Sequence, residues 1–151
     1  MTGALANLHF APTQTSQANL LREGVPEQNV LVTGNTVIDA LMMVIDRLKT
    51  DEQLREGAAK PSSFISPERR IVLVTGHRRE SFGDGFERIC KALAHIANTH
   101  KDVDIIYPMH MNPNVREPVN RVLKDIKNVY LIEPLDYLPF VYLMEKSYLI
   151  L

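Results

Sequence analysis

The chain has 151 residues, 45% of them hydrophobic and 23% charged, which is the make-up of one ordinary soluble domain with room for a sizeable core. Seventeen basic residues nearly balance eighteen acidic ones, and the net charge of −1 supplies no general attraction to nucleic acid or to an anionic membrane, so any anion site has to be local. The single cysteine, Cys90, excludes an internal disulfide framework and fits a reducing, cytoplasmic setting, while no apolar run approaches bilayer-spanning length and the first residues do not read as a signal peptide.

In chain order, residues 1–8 resemble the tail of a helix, and residues 8–11 read as a short strand. Thr13 or Thr15 is suited to cap a helix running to Leu21, since a hydroxyl there can accept a free backbone N–H of the first turn. Residues 30–32 form another short apolar run, and Gly34, Asn35 and Thr36 open a helix to Leu48. The stretch 57–70, with Pro61, Pro67 and three serines, lacks periodicity and reads as an exposed connection. Beyond it, apolar runs at 71–75, 104–107 and 128–132 alternate with amphipathic segments. In these, Phe86, Ile89, Leu93 and Ile96, then Val119, Val122, Leu123 and Ile126, recur at helical spacing. Strand and helix in alternation predict an α/β fold: a Rossmann-like parallel sheet flanked by helices. The apolar run 148–151 reads as a further strand, and both ends of the chain read as interior positions of a longer protein.

In a parallel sheet the functional loops gather at the carboxyl ends of the strands, so the residues following each strand carry the chemistry to be considered. After the first strong strand comes TGHRRESFG at 75–83, with His77, Arg78, Arg79 and Glu80 in one short turn ahead of a helix. Guanidinium forks and helix N-terminal amides suit phosphate oxygens, and an adjacent imidazole can donate a hydrogen bond to a leaving group that gains charge. A solvated turn with an Arg79–Glu80 surface pair is the plainer alternative. After the second strand comes PMHMNPN at 108–114, where prolines restrict the backbone around His110; a hydrogen-bonded structural histidine is the plainer alternative there. After the third comes EPLDYLPF at 133–140, a rigid turn whose free backbone groups could read a base edge, with Phe140 either beside the base or simply in the core. No G-x-G-x-x-G, Walker lysine, nucleophile elbow or metal-ligand spacing occurs.

Four segments taken together, FAPT at 10–13, GNTVIDAL at 34–41, VTGHRRESFG at 74–83 and YPMHMNPNV at 107–115, strongly resemble the non-hydrolysing bacterial UDP-N-acetylglucosamine 2-epimerases. The resemblance covers essentially the whole chain. It implies a two-domain, glycosyltransferase-B-like fold, with residues 1–60 forming a domain-junction lobe and leading helices, and residues 61–151 a truncated UDP-binding domain. It also implies interconversion of UDP-N-acetylglucosamine and UDP-N-acetylmannosamine, by elimination of UDP and its re-addition, with no cofactor, for surface-polysaccharide precursors. By the same resemblance His77 is the catalytic histidine beside the diphosphate, Leu135 and Phe140 lie at the uridine, and Arg78 and His110 contact a second, regulatory sugar nucleotide. Family members often have glutamine at the position of Leu135, so a main-chain contact would persist here and a side-chain contact would not. The expected partners are the UDP-sugar and UDP, with no nucleic acid and no membrane, and the full-length enzyme is expected to be a homodimer in the cytoplasm. The catalytic carboxylates, a Ser-Gly-Gly phosphate loop and a ribose-binding glutamate belong to family segments with no counterpart in this chain, so the chain alone is expected to be inactive. Two other readings remain: a nucleotide-sugar transferase of the same architecture, and a non-catalytic truncated remnant.

Overall fold

The computed structural model describes residues 2–75, 84–109 and 112–151. These fall into two compact units, 1–46 and 47–151. In the first unit, strands β1 (His9–Ala11) and β2 (Val30–Val32) pair in parallel, with helix α2 (Gln14–Arg22) between them in sequence, after a single helical turn α1 (Thr2–Leu5). Thr13 caps α2, its Oγ1 accepting the Ser16 N–H at 3.1 Å, which satisfies one of the free donors of the first turn. The helix ends at Gly24, whose φ of +87° permits the left-handed turn that returns the Val25 N–H to the Leu20 carbonyl. Helix α3 (Thr36–Thr50) opens where Asn35 Oδ1 accepts the Val37 N–H at 3.1 Å, and it runs through the division between the units.

The second unit is built on a four-stranded parallel sheet of order β5-β4-β3-β6, comprising β3 (Arg70–Leu73), β4 (Val103–Pro108), β5 (Val129–Ile132) and β6 (Leu149–Ile150). The α/β class expected from the sequence is therefore the observed one. Helices α5 (Asp84–Thr99) and α6 (Pro113–Leu123) make the crossovers from β3 to β4 and from β4 to β5. Helix α7 (Tyr137–Lys146) then carries the chain back to the opposite side of β3. Because such crossovers share one hand, reversing their direction moves the helix to the other face of the sheet. The two cores show this. Val72, Ile105 and Tyr107 pack with Phe86, Cys90, Leu93, Val119 and Leu123 on one face, whereas Ile71, Leu73 and Ile106 pack with Leu143 on the other.

Two expectations are corrected. The stretch 57–70 is not a plain exposed connection: helix α4 (Glu52–Ala59) and a 3-10 turn (Lys60–Ser62) occupy its first part, with Ala58 and Ser62 buried. Asp51 caps α4 through Oδ1 to the Leu54 N–H at 3.0 Å. Farther on, Phe64 meets Tyr130 with ring centroids 4.9 Å apart, and Ile65 packs on the α7-side core. The buried face of α5 also differs, following Phe86, Cys90, Leu93 and Ala97, while Ile89 is exposed. A spacing of four, three and four residues keeps those side chains on one stripe, and Ile89 lies beside it.

Candidate functional site

The reversal of strand order between β3 and β6 makes their carboxyl ends a topological switch point, the place where open α/β sheets receive ligands. The pairing extends past β3 itself: the Val74 N–H donates to the Ile106 carbonyl at 2.9 Å, and the Thr75 N–H donates to the Leu151 carbonyl at 2.7 Å. The Thr75 hydroxyl reaches the same oxygen at 3.0 Å. Thr75 is thus held at the switch point, and the basic segment 76–83, outside the described residues, follows it in sequence. Two neighbouring chain segments leave the same end of the sheet. Pro108 is in register with Ile132, and the Met109 N–H donates to the Ile132 carbonyl at 2.9 Å.

His77, Arg78 and His110 lie outside the described residues. Leu135 and Phe140 are described. Both are half-buried and packed against the core formed by Ile71, Leu73, Ile106 and Leu143, at the end of β5 and in the first turn of α7. Each presents part of its surface outward, and the Phe140 N–H is fixed by the Asp136 carbonyl at 3.0 Å. A cavity of about 550 Å³ opens beside this turn between α4 and α7, lined among others by Asp51, Leu54, Gly57, Asp136, Tyr137 and Pro139. Leu135 and Phe140 do not line it.

Among the described residues at this end of the sheet, Glu133 and Arg116 form an ion pair. Glu133 follows β5 directly, and its carboxylate is paired with the Arg116 guanidinium from the first turns of α6. Sequence reading missed this pair, because the residues are 17 positions apart, one on α6 and one just past β5, and periodicity does not show that they meet. Tyr107, buried near the end of β4, has its phenol pushed up to about 12 by burial and then by the Cys90 thiol, so it stays protonated and offers no base. Among the described residues no group of three or more His, Cys, Asp or Glu side chains is placed to hold a metal ion, and no helix is long and apolar enough to cross a membrane.

Comparison with known proteins places this geometry. The family described as UDP-N-acetylglucosamine 2-epimerase matches residues 1–151. A probable UDP-N-acetylglucosamine 2-epimerase of Ralstonia nicotianae is 68% identical over the whole chain, and the UDP-N-acetylglucosamine 2-epimerase of Escherichia coli K12 is 58% identical. The chain spans 40% of the length of each. The crystal structure of the Neisseria meningitidis enzyme bound to UDP-GlcNAc matches 99% of this chain, and 40% of that one, with a TM-score of 0.88 at 44% identity. An S. aureus MnaA–UDP structure matches 98% of this chain and 38% of that one, with a TM-score of 0.79 at 38% identity. The parallel sheets flanked by helices are thus those of the glycosyltransferase-B-like epimerases, and the chain belongs to the UDP-N-acetylglucosamine 2-epimerase family.

Proposed function

We propose that this chain forms most of the nucleotide-binding domain of a non-hydrolysing epimerase that interconverts UDP-N-acetylglucosamine and UDP-N-acetylmannosamine. In this reading UDP is eliminated to leave an unsaturated sugar, a proton returns at C2 on the opposite face, and UDP adds back. The observation that carries the proposal is the switch point itself. The turn bearing His77, Arg78 and Arg79 follows Thr75 in sequence, and Thr75 is held between β3 and β6, where a bound diphosphate would meet the basic turn. The likeness to relatives solved with UDP-GlcNAc or UDP supports the same ligand here.

Within this scheme His77 hydrogen-bonds the departing diphosphate, while the segment carrying Leu135 and Phe140 holds the uridine. The half-buried setting of both residues, fixed on one side and open on the other, suits that task. Arg78 and His110 touch a second, regulatory sugar nucleotide. Residues 1–60 serve as a domain junction and residues 61–151 as the UDP-binding part of a two-domain, homodimeric, cytoplasmic enzyme that makes surface-polysaccharide precursors. Proton transfer at C2 belongs to the facing domain, so the chain by itself does not catalyse the reaction. The test is His77→Asn in the full-length enzyme, which should lower turnover by on the order of a hundredfold, the scale for losing a positioned donor at a developing charge. Turnover close to the parent's, with folding intact, would refute the assignment.

A further inference from the structure

Helices α6 and α7 cover opposite faces of the sheet, and at its carboxyl end a charged side chain of the α6 layer reaches the segment that leads into α7. Arg116, in the first turns of α6, pairs with Glu133, the first residue after β5. Both ends of the pair are firmly mounted. The Arg116 N–H is bonded to the Asn112 carbonyl at 3.1 Å, and Glu133 follows Ile132, whose carbonyl accepts the Met109 N–H. Pro134 comes next, fixing its own φ and restricting Glu133 to extended backbone, so the position of Glu133 is passed on to Leu135 with little slack. At its other end this segment is anchored by Leu135 and Phe140 on the α7-side core.

We infer that Arg116 and Glu133 form a brace that positions the 133–140 segment for the nucleotide base, a role that rests on the function proposed above. Neither residue needs to touch the ligand. Arg116 is 30% exposed and Glu133 67%, so the pair contributes little to overall stability, and its loss would be felt in the placement of the binding segment. The brace also neutralises a carboxylate at the strand ends, where a diphosphate would otherwise be repelled.

The experiment is a double-mutant cycle in the full-length enzyme, with Arg116→Ala, Glu133→Ala and the two combined. UDP affinity is read by calorimetry, KM and kcat by turnover, and folding by the melting temperature. Each single variant should weaken UDP binding and raise KM about fivefold with kcat within about twofold, and the double variant should be no worse than either single one, because both remove the same contact. Additive losses, an effect of Arg116→Ala without a matching effect of Glu133→Ala, or a loss confined to kcat would overturn the brace. An unmodified enzyme that failed to bind UDP would instead overturn the function on which the inference rests.

Discussion

Arg69 donates from Nε to Oδ1 of Asp104 at 2.6 Å, and from a terminal guanidinium nitrogen to the Val103 carbonyl at 3.0 Å. The carboxylate lies on β4 with 1% of its surface exposed, and its second oxygen has no partner among the described residues. The pair ties the segment entering β3 to the start of β4, so it secures the end of the sheet opposite the candidate site. Arg69→Met should therefore destabilise the protein by about 3 kcal/mol, because it leaves a buried carboxylate uncompensated. Combining it with Asp104→Leu should recover much of that loss, since an apolar pair removes the orphaned charge. Thermal melting measures both, and an Arg69→Met variant melting within about 1 °C of the parent would show that the carboxylate is satisfied without the arginine.

Arg78→Ala or His110→Ala in the full-length enzyme should change the dependence of rate on UDP-N-acetylglucosamine concentration more than the rate at saturation. Arg78 is three residues beyond Thr75, and His110 is next to Met109, whose N–H is bonded to Ile132, so both follow positions at one end of the sheet. Initial-rate curves over a wide range of substrate decide the matter, and curves of unchanged shape in both variants would remove the regulatory role.

Cys90 should resist modification in the native protein. It is fully buried on the α5 stripe, and burial pushes its thiol above the ordinary cysteine value, which lowers the thiolate fraction near neutral pH. Alkylation at this residue, followed by mass spectrometry, should be slower by on the order of a hundredfold in buffer than in denaturing urea. Comparable rates in the two would mean that the α5–sheet core opens far more readily than its packing implies.

The 151 residues produced alone should show no epimerisation and should associate in solution. Proton removal at C2 and stabilisation of the leaving diphosphate have to act on one held substrate, and the first of these is assigned to a domain outside this chain. Tyr148, Leu149, Ile150 and Leu151 are exposed along the β6 edge, and Val37, Ile38, Met42 and Met43 are exposed on α3, which are surfaces that favour self-association. Light scattering and an assay at high protein concentration test the two parts separately. A monodisperse monomer would contradict the second part, and product formed by this chain would contradict the first.

The strands of the larger sheet were legible because their apolar runs are short, β-branched and separated by segments of clear helical period, which also exposed the α/β class. The cap of α2 was legible as Thr13 or Thr15 from hydroxyl chemistry, and Thr13 is the one that serves. Helix α4 was hidden by the serines and prolines that follow it, although Asp51 ahead of the Glu52–Ala59 segment was a usable capping signal. The Arg69–Asp104 and Arg116–Glu133 pairs were not legible, since they span 35 and 17 residues and depend on tertiary packing that periodicity does not reveal. The position of Thr75 at a switch point likewise required the placement of β6 beside β3. For the candidate site, local chemistry offered the basic segment 76–83 as a phosphate site beside the plainer reading of a solvated turn, and the 133–140 segment as a base reader beside the plainer reading of a helix entry; the individual roles of His77, Arg78, His110 and Leu135 came from family resemblance.

The amide of Asn128 donates to the carbonyls of Ala97 and Val103 at 2.9 and 2.8 Å, so one buried side chain joins the end of α5, the start of β4 and the start of β5. Together with Arg69 and Asp104, it concentrates the buried polar fastening at the amino ends of the strands. For protein engineering this makes the sheet a chassis: the segments at its carboxyl end are the parts to exchange or recombine between relatives, while the register that aligns them is kept by residues on the far side of the fold.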